Sequence, residues 1–125
     1  MHRIDYESFY IEMETINIQK DKVQLVSCFG RINNQNSLLI SKEINRIFED
    51  KIYNVILNLT ELEYLNSIGI AIVLSIVKTV DYHQGKFVIG GMSDQIEAIL
   101  KLVELPGKFK VYSSVNEAID NWSKN

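Results

Sequence analysis

Ser67 is the side chain of this sequence best placed to do chemistry. It lies in Tyr64-Leu65-Asn66-Ser67-Ile68-Gly69-Ile70-Ala71, after the apolar run Val55-Ile56-Leu57-Asn58-Leu59 and before a long apolar segment, so a strand hands over to a helix at this point. The first amides of a helix lack intrahelical acceptors and carry partial positive charge. A hydroxyl at such a place has three uses: helix cap, nucleophile, or acceptor of a phosphate whose charge the helix terminus favours. As a cap, either Asn66 or Ser67 would contribute about 1 kcal/mol.

The nucleophile reading needs partners that the sequence does not supply. A nucleophile elbow wants glycine on both sides of the serine, in the pattern G-x-S-x-G, and here the flanking positions are Leu65 and Gly69. The only histidines are His2, in the polar lead-in, and His83, at the far end of the helix that Ser67 starts, about 24 Å away at 1.5 Å per residue. Neither serves a triad. Nor do these histidines have cysteines or carboxylates at ligand spacing, so no metal site is expected. Gly90-Gly91 precedes a helix, yet there is no P-loop lysine and no dinucleotide fingerprint, and tight backbone turning explains the pair. Glu61 and Glu63 alternate beside Ser67 without a cleft to make them an acid/base pair; they are available to shape recognition of a partner. Cys28, the sole cysteine, sits in Val26-Ser27-Cys28-Phe29 and reads as a small buried hydrophobe. No catalytic residue and no cofactor are expected, and the chain is not read as an enzyme.

The bulk composition agrees with a protein-binding role. A chain of 125 residues with 46% hydrophobic and 23% charged residues fits one domain, 1–125, with a real core and no staple. A net charge of −3 supplies no basic footprint for nucleic acid or an anionic membrane. Acidic residues occupy the N-terminus where a secretory signal would carry its apolar core, and no run of about eighteen apolar residues occurs, so a cytoplasmic protein without membrane insertion is expected. Residues 1–13 form an N-terminal extension whose Ile4, Tyr6, Phe9, Tyr10 and Ile11 could pair as an extra strand or pack on a partner.

The elements that must position Ser67 follow from periodicity. Thr15 to Ile18 alternates with strand period, Lys20-Asp21-Lys22 interrupts, and Val23 to Phe29 continues as the second arm of an antiparallel hairpin. Gly30 to Ser37 reads as a turn-rich loop. A helix follows, with Ile40, Ile44, Ile47 and Phe48 on one face and Lys42, Glu43, Arg46 and Glu49 on the other. The continuous apolar run Val55 to Leu59 predicts a central parallel strand, Thr60 to Leu65 a loop, and Ile68 to about His83 a helix ended by Gly85. Lys86 to Gly90 predicts a strand, and Ser93 to Glu97 begins a helix with acidic residues in its first turn and with Ile96, Ile99, Leu100 and Val103 on its apolar face. Leu105-Pro106-Gly107 breaks the chain before a strand at Phe109 to Tyr112, and Ser114 to Glu117 has capping-box spacing for a last helix carrying Ala118, Ile119 and Trp122 inward. The order β-β-α-β-α-β-α-β-α implies an α/β fold with a mixed sheet of four to five strands, mostly parallel with one antiparallel edge strand, and about four helices.

Three local sequences, in this order, resemble the STAS family (sulfate transporter and anti-sigma factor antagonist domains). Gly30-Arg31-Ile32-Asn33 resembles its G-x-[IL]-D. Leu57-Asn58-Leu59-Thr60 with Leu65-Asn66-Ser67-Ile68-Gly69-Ile70 resembles D-L-S followed by [IMV]-D-S-[SA]-G-[LI]. Ile99 to Leu105 with Phe109 to Ala118 is similar to L-[LF]-x-L-T-G-L followed by F-x-[IV]-[YF]-x-S-x-x-E-A. The resemblance spans about Thr15 to Trp122. It implies a stand-alone bacterial anti-anti-sigma factor, or a relative, that binds an anti-sigma factor which is also a serine kinase. Phosphorylation at the position of Ser67 would end that binding and a phosphatase would restore it. The partner surface implied comprises Arg31, Asn33, Asn34, Asn58, Thr60, Asn66, Ser67, Ile68 and Gly69. The other role the family allows is a subunit of a larger assembly, stressosome-like or lipid-transporting, with Ser67 only a contact or cap. The sequence departs from the pattern at Asn33 and Asn66, each in place of Asp, and at Glu104 in place of Gly. Asn keeps the capping geometry but holds no charge, so a kinase or anti-sigma factor that reads that charge would engage this chain poorly.

Overall fold

Six strands form one sheet, in the order β1-β2-β3-β4-β5-β6, in the computed structural model, which describes residues 2–103 and 109–124. They are β1 His2–Tyr6, β2 Phe9–Ile18, β3 Asp21–Ile32, β4 Val55–Leu65, β5 Phe87–Met92 and β6 Lys110–Tyr112. β1, β2 and β3 run as an antiparallel meander, and β3 to β6 are mutually parallel. The helices among the described residues are α1 Ser37–Glu43, continued by a 3₁₀ turn Ile44–Phe48, then α2 Ser67–Tyr82, α3 Asp94–Leu100 and α4 Val115–Asp120, followed by a second 3₁₀ turn, Trp122–Lys124. Each parallel crossover carries one of the first three helices. None of the described helices is long and apolar enough to cross a membrane.

The fold is the expected mixed sheet, mostly parallel with an antiparallel edge, but it has six strands rather than four or five. The added strand comes from the lead-in: Phe9, Ile11 and Met13 of β2 point into the core, and Ile4 of β1 joins them opposite Ile11. Two segments expected as loops are strand instead. Gly30 to Ile32 completes β3 and Thr60 to Leu65 completes β4, where they pair as Arg31 with Tyr64 and Ile32 with Leu65. Irregular register between Ser27 and Phe29 on β3, and between Leu57 and Leu59 on β4, disturbs the pattern there and leaves Thr60 and Glu61 both exposed. The break expected at Leu105-Pro106-Gly107, and Glu104, lie outside the described residues.

The two faces of the sheet are covered unequally. On one side Ile40, Ile44, Ile47, Ile72, Val73, Ile76, Ile96 and Leu100 of the first three crossovers pack on Val26, Leu57 and Ile89. On the other, Ala118 and Trp122 pack on Val23, Ile56 and Val88. Ser114 caps α4 as its spacing predicts, accepting the Glu117 N–H, and Ser93 caps α3 by accepting the Ile96 N–H. Cys28 is buried. Burial pushes its thiol up to about 12, so the nucleophilic thiolate is suppressed.

Candidate functional site

α2 begins where β3 and β4 end, and the junction sets the direction of Ser67. The Asn66 N–H donates to Ile32 O at 3.1 Å, which ties the first cap residue to the last residue of β3. Asn66 has extended backbone angles and its Oδ1 accepts the Gly69 N–H at 2.9 Å. It is the N-cap, and Ser67 is the first helical residue. Gly69 lets the helix sit this close to the sheet: a Cβ there would stand 2.8 Å from Leu65 Cβ and 3.2 Å from Ile32 Cγ2. Ile68 and Ile70 lean on the core, and Ser67 is left exposed. Among the described residues its hydroxyl has no hydrogen-bond partner.

The loop Asn33 to Asn36 forms the second wall. Asn33 Oδ1 accepts the Gln35 N–H at 3.0 Å, and Asn33 O accepts from Ser37 N at 2.9 Å. The Asn66 side-chain amide then crosses to this wall, donating to Asn34 Oδ1 at 3.2 Å and to Ser37 Oγ at 3.3 Å. Just beyond, the first turn of α1 turns Leu38 and Leu39 to solvent, 64% and 51% exposed. Two leucines this exposed beside a polar loop form an apolar edge suited to contact with another protein. Arg31 is exposed and lays its guanidinium over the Tyr64 ring, 5.2 Å from the centroid. The side chains that hydrogen-bond the Asn66 amide, Asn34 and Ser37, are neutral, and the start of α2 adds partial positive charge beside Ser67.

The structure thus gathers Asn33, Asn34, Asn66, Ser67, Ile68 and Gly69 at one end of α2, with Arg31 on the adjoining strand. Asn58 and Thr60 are not part of that group. Asn58 follows Ile56 by two residues and so shares its sheet face, the side covered by α4, where its Nδ2 donates to Ser27 Oγ at 3.2 Å. Thr60 stands beside Gly91 and the Ser113–Ser114 segment that leads into α4. The sequence points to the loop Arg31 to Ser37 as a contact surface without singling out Asn36 or Ser37, and it gives no sign of Leu38 and Leu39. Asn36 and Ser37 are buried to 2% and 1% exposure, and the density of Asn and Ser between Asn33 and Ser37 marks the loop but not which of its side chains is buried. His83 lies at the far end of α2, its ring stacked on Tyr53 at 3.7 Å and its Nδ1 2.9 Å from Thr79 O.

Residues 14–118, which contain the site from Arg31 to Gly69, match the STAS domain family. The chain belongs to that family. This STAS domain is 26% identical, over 101 residues, to a Thermotoga maritima protein provisionally named an anti-sigma factor antagonist; the alignment covers 80% of this chain and 89% of that protein. It superposes with a TM-score of 0.70 on a T. maritima crystal structure carrying the same provisional name, at 20% identity, covering 89% of this chain and 92% of that one. With the phosphorylated form of SpoIIAA, a Bacillus cell fate determinant, the TM-score is 0.64 at 18% identity, covering 90% and 98%. These solved structures share the STAS domain's fold.

Proposed function

We propose that this STAS domain is a cytoplasmic anti-sigma factor antagonist: a regulatory binding module that engages an anti-sigma factor/serine kinase through the Ser67 end of α2 and is released by phosphorylation of Ser67. The observation that carries the reading is the division of labour between neighbours. Asn66 does the capping, so the Ser67 hydroxyl is exposed and uncommitted. Support comes from the name of the T. maritima relative and from the phosphorylated form in which the SpoIIAA fold exists.

The switch follows from charge. A phosphate brings about −1.5 to −2 charges, which the amide-rich start of α2 accommodates in the free domain. Against a packed partner the same charge must be desolvated beside Leu38 and Leu39, and the complex loses affinity. No refolding is required. ATP and the catalytic base belong to the kinase, and a phosphatase resets the module.

Arg31, Asn33 and Asn34 extend the contact surface along the loop wall, while Asn58 and Thr60 contribute only if the partner wraps to the α4 face. Incubation with ATP and the serine kinase of the source organism, followed by intact-mass measurement, tests the reading. One phosphate, absent in Ser67→Ala, is expected; no phosphate together with unchanged partner affinity in Ser67→Glu overturns it. The neutral Asn66 favours one second reading, in which the domain is a subunit of a stressosome-like or lipid-transport assembly and Ser67 is a contact only. Recovery of a multisubunit complex with unmodified Ser67 would select it.

A further inference from the structure

We infer that Asn36 is a positioning residue for the Ser67 site, and that through it the turn between β1 and β2 is part of the docking machinery. The inference deepens the reading above and depends on it only for the identity of the partner.

Asn36 occupies the N-cap position of α1, yet its side chain makes no cap bond. It is 2% exposed, and its amide is fully used elsewhere. Nδ2 donates to Glu7 O at 2.6 Å and to Arg31 O at 2.8 Å, while Oδ1 accepts the Asn33 N–H at 3.0 Å. One side chain therefore joins the β1–β2 turn, the end of β3 and the start of the loop wall. Two other contacts seat the same turn. The Arg31 N–H donates to Ser8 O at 2.9 Å, and Gly30, at φ +100°, lets the Ser8 carbonyl come so near that any Cβ would collide with it. From Asn36 the path to the site is short. Asn34, two residues before it, and Ser37, the next residue, are the two acceptors of the Asn66 amide, whose Oδ1 in turn holds the Gly69 N–H.

The residue type follows from this geometry. Serine or threonine would cap α1 conventionally but has a single hydroxyl proton for two carbonyls. Aspartate has no donor and would set its charge against both carbonyl oxygens. Only an amide of this length supplies two donors and one acceptor. The N-terminal strand pair, most of which lies before the matched family region at residue 14, thereby reaches the opening turn of α2.

The test compares Asn36→Ser with wild type by amide hydrogen exchange, with Glu7→Ala as a control because only the Glu7 backbone is used. Exchange at Gly69 is expected to rise at least tenfold in Asn36→Ser while Leu57 in the central strand changes less than twofold, and Glu7→Ala leaves both unchanged. Equal loss of protection at Gly69 and Leu57 would mean that Asn36 only stabilises the fold as a whole, and overturns the inference. Should Asn36→Ser fail to fold, the wild-type protein still decides. Its Asn36 side-chain NH2 protons must exchange at least tenfold more slowly than those of a free amide, and free exchange rejects the bridge. With the anti-sigma kinase, Asn36→Ser should raise KM for Ser67 phosphorylation several-fold at unchanged kcat, and a wild-type KM rejects the docking role. If the wild-type domain is neither bound nor phosphorylated, the proposed function fails, and the Gly69 and Leu57 comparison still judges the positioning of the helix start.

Discussion

The Asn66 side chain faces two ways: its Oδ1 holds the Gly69 N–H at 2.9 Å, while its Nδ2 reaches Asn34 Oδ1 at 3.2 Å across the loop wall. An aspartate could make the first contact but not the second. The neutral residue beside Ser67 is therefore more than a lost charge, because it links α2 to the loop ahead of α1.

Replacing Asn66 separates the two tasks. Asn66→Ala removes cap and link together and should cost about 1–2 kcal/mol. Asn66→Asp keeps the cap and gains from the helix dipole by about 0.5 kcal/mol. It loses donation to Asn34, whose amide can turn to present its NH2 to the new carboxylate. Urea unfolding of Asn66→Asp should lie within about 1 kcal/mol of wild type. Its phosphorylation by a kinase that reads the family's acidic residue should be faster, and an unchanged rate would show that the kinase ignores this position.

Ser67 itself should be almost free of structural duty. It is exposed, with its hydroxyl unpartnered among the described residues, so Ser67→Ala should change stability by less than about 0.5 kcal/mol. Ser67→Glu should be neutral or stabilising by about 0.5 kcal/mol, because its charge lies on the first turn of α2. The same substitution should weaken binding of the anti-sigma partner by tenfold or more in calorimetry. A stability loss above about 1 kcal/mol in either variant would mean that the hydroxyl is structural.

What the residues reveal in advance depends on whether their partners are near in sequence. The helix from Ile68 to about His83, the helix starting near Ser93 and the cap at Ser114 are local, and they read correctly. The end of β4 was harder. Leu62 and Leu65 are both buried although three residues apart, which breaks strand period, and Thr60 and Glu61 are exposed in succession, so a polar pair after an apolar strand reads as the start of a loop. β1 carries alternation in Arg3-Ile4-Asp5, yet only its pairing with β2 turns so short a segment into a strand. At the site, Ser67 and Asn66 stood out by position, whereas Asn36 did not. Its carbonyl partners lie five and twenty-nine residues away, and nothing local distinguishes its buried amide from that of the exposed Asn34 two residues before it.

Gly69 gives the most direct check on how α2 meets the sheet. In an exposed helix, Gly→Ala gains about 1 kcal/mol of helix propensity. Here the new Cβ would lie 2.8 Å from Leu65 Cβ, an atom bonded directly to the backbone with little room to yield. Overpacking of that kind costs about 1–3 kcal/mol, so Gly69→Ala should be net destabilising in urea. It should also tilt the start of α2 and alter the amide signals of Asn66 and Ser67. A stabilised variant would show that the helix has slack against Ile32 and Leu65.

Cys28 makes stability fall at alkaline pH. Burial raises its thiol from the ordinary 9.0 to about 12 in the folded protein. Above pH 9 the unfolded chain therefore releases a proton that the folded chain keeps, and unfolding becomes more favourable as pH rises. The contribution is fully present below pH 9 and is lost progressively between 9 and 12, on the order of 1 kcal/mol of it by pH 10. Tyr6 acts with the same sign only above its ordinary 10.0, since burial first and the hydrogen bond to Glu43 second push it up to about 12. Unfolding free energies measured at pH 7, 9 and 10 should thus show a decline that Cys28→Ala abolishes up to pH 10. If the decline persists in that variant, another buried acid is responsible and the thiol is better solvated than its position beneath the helices implies.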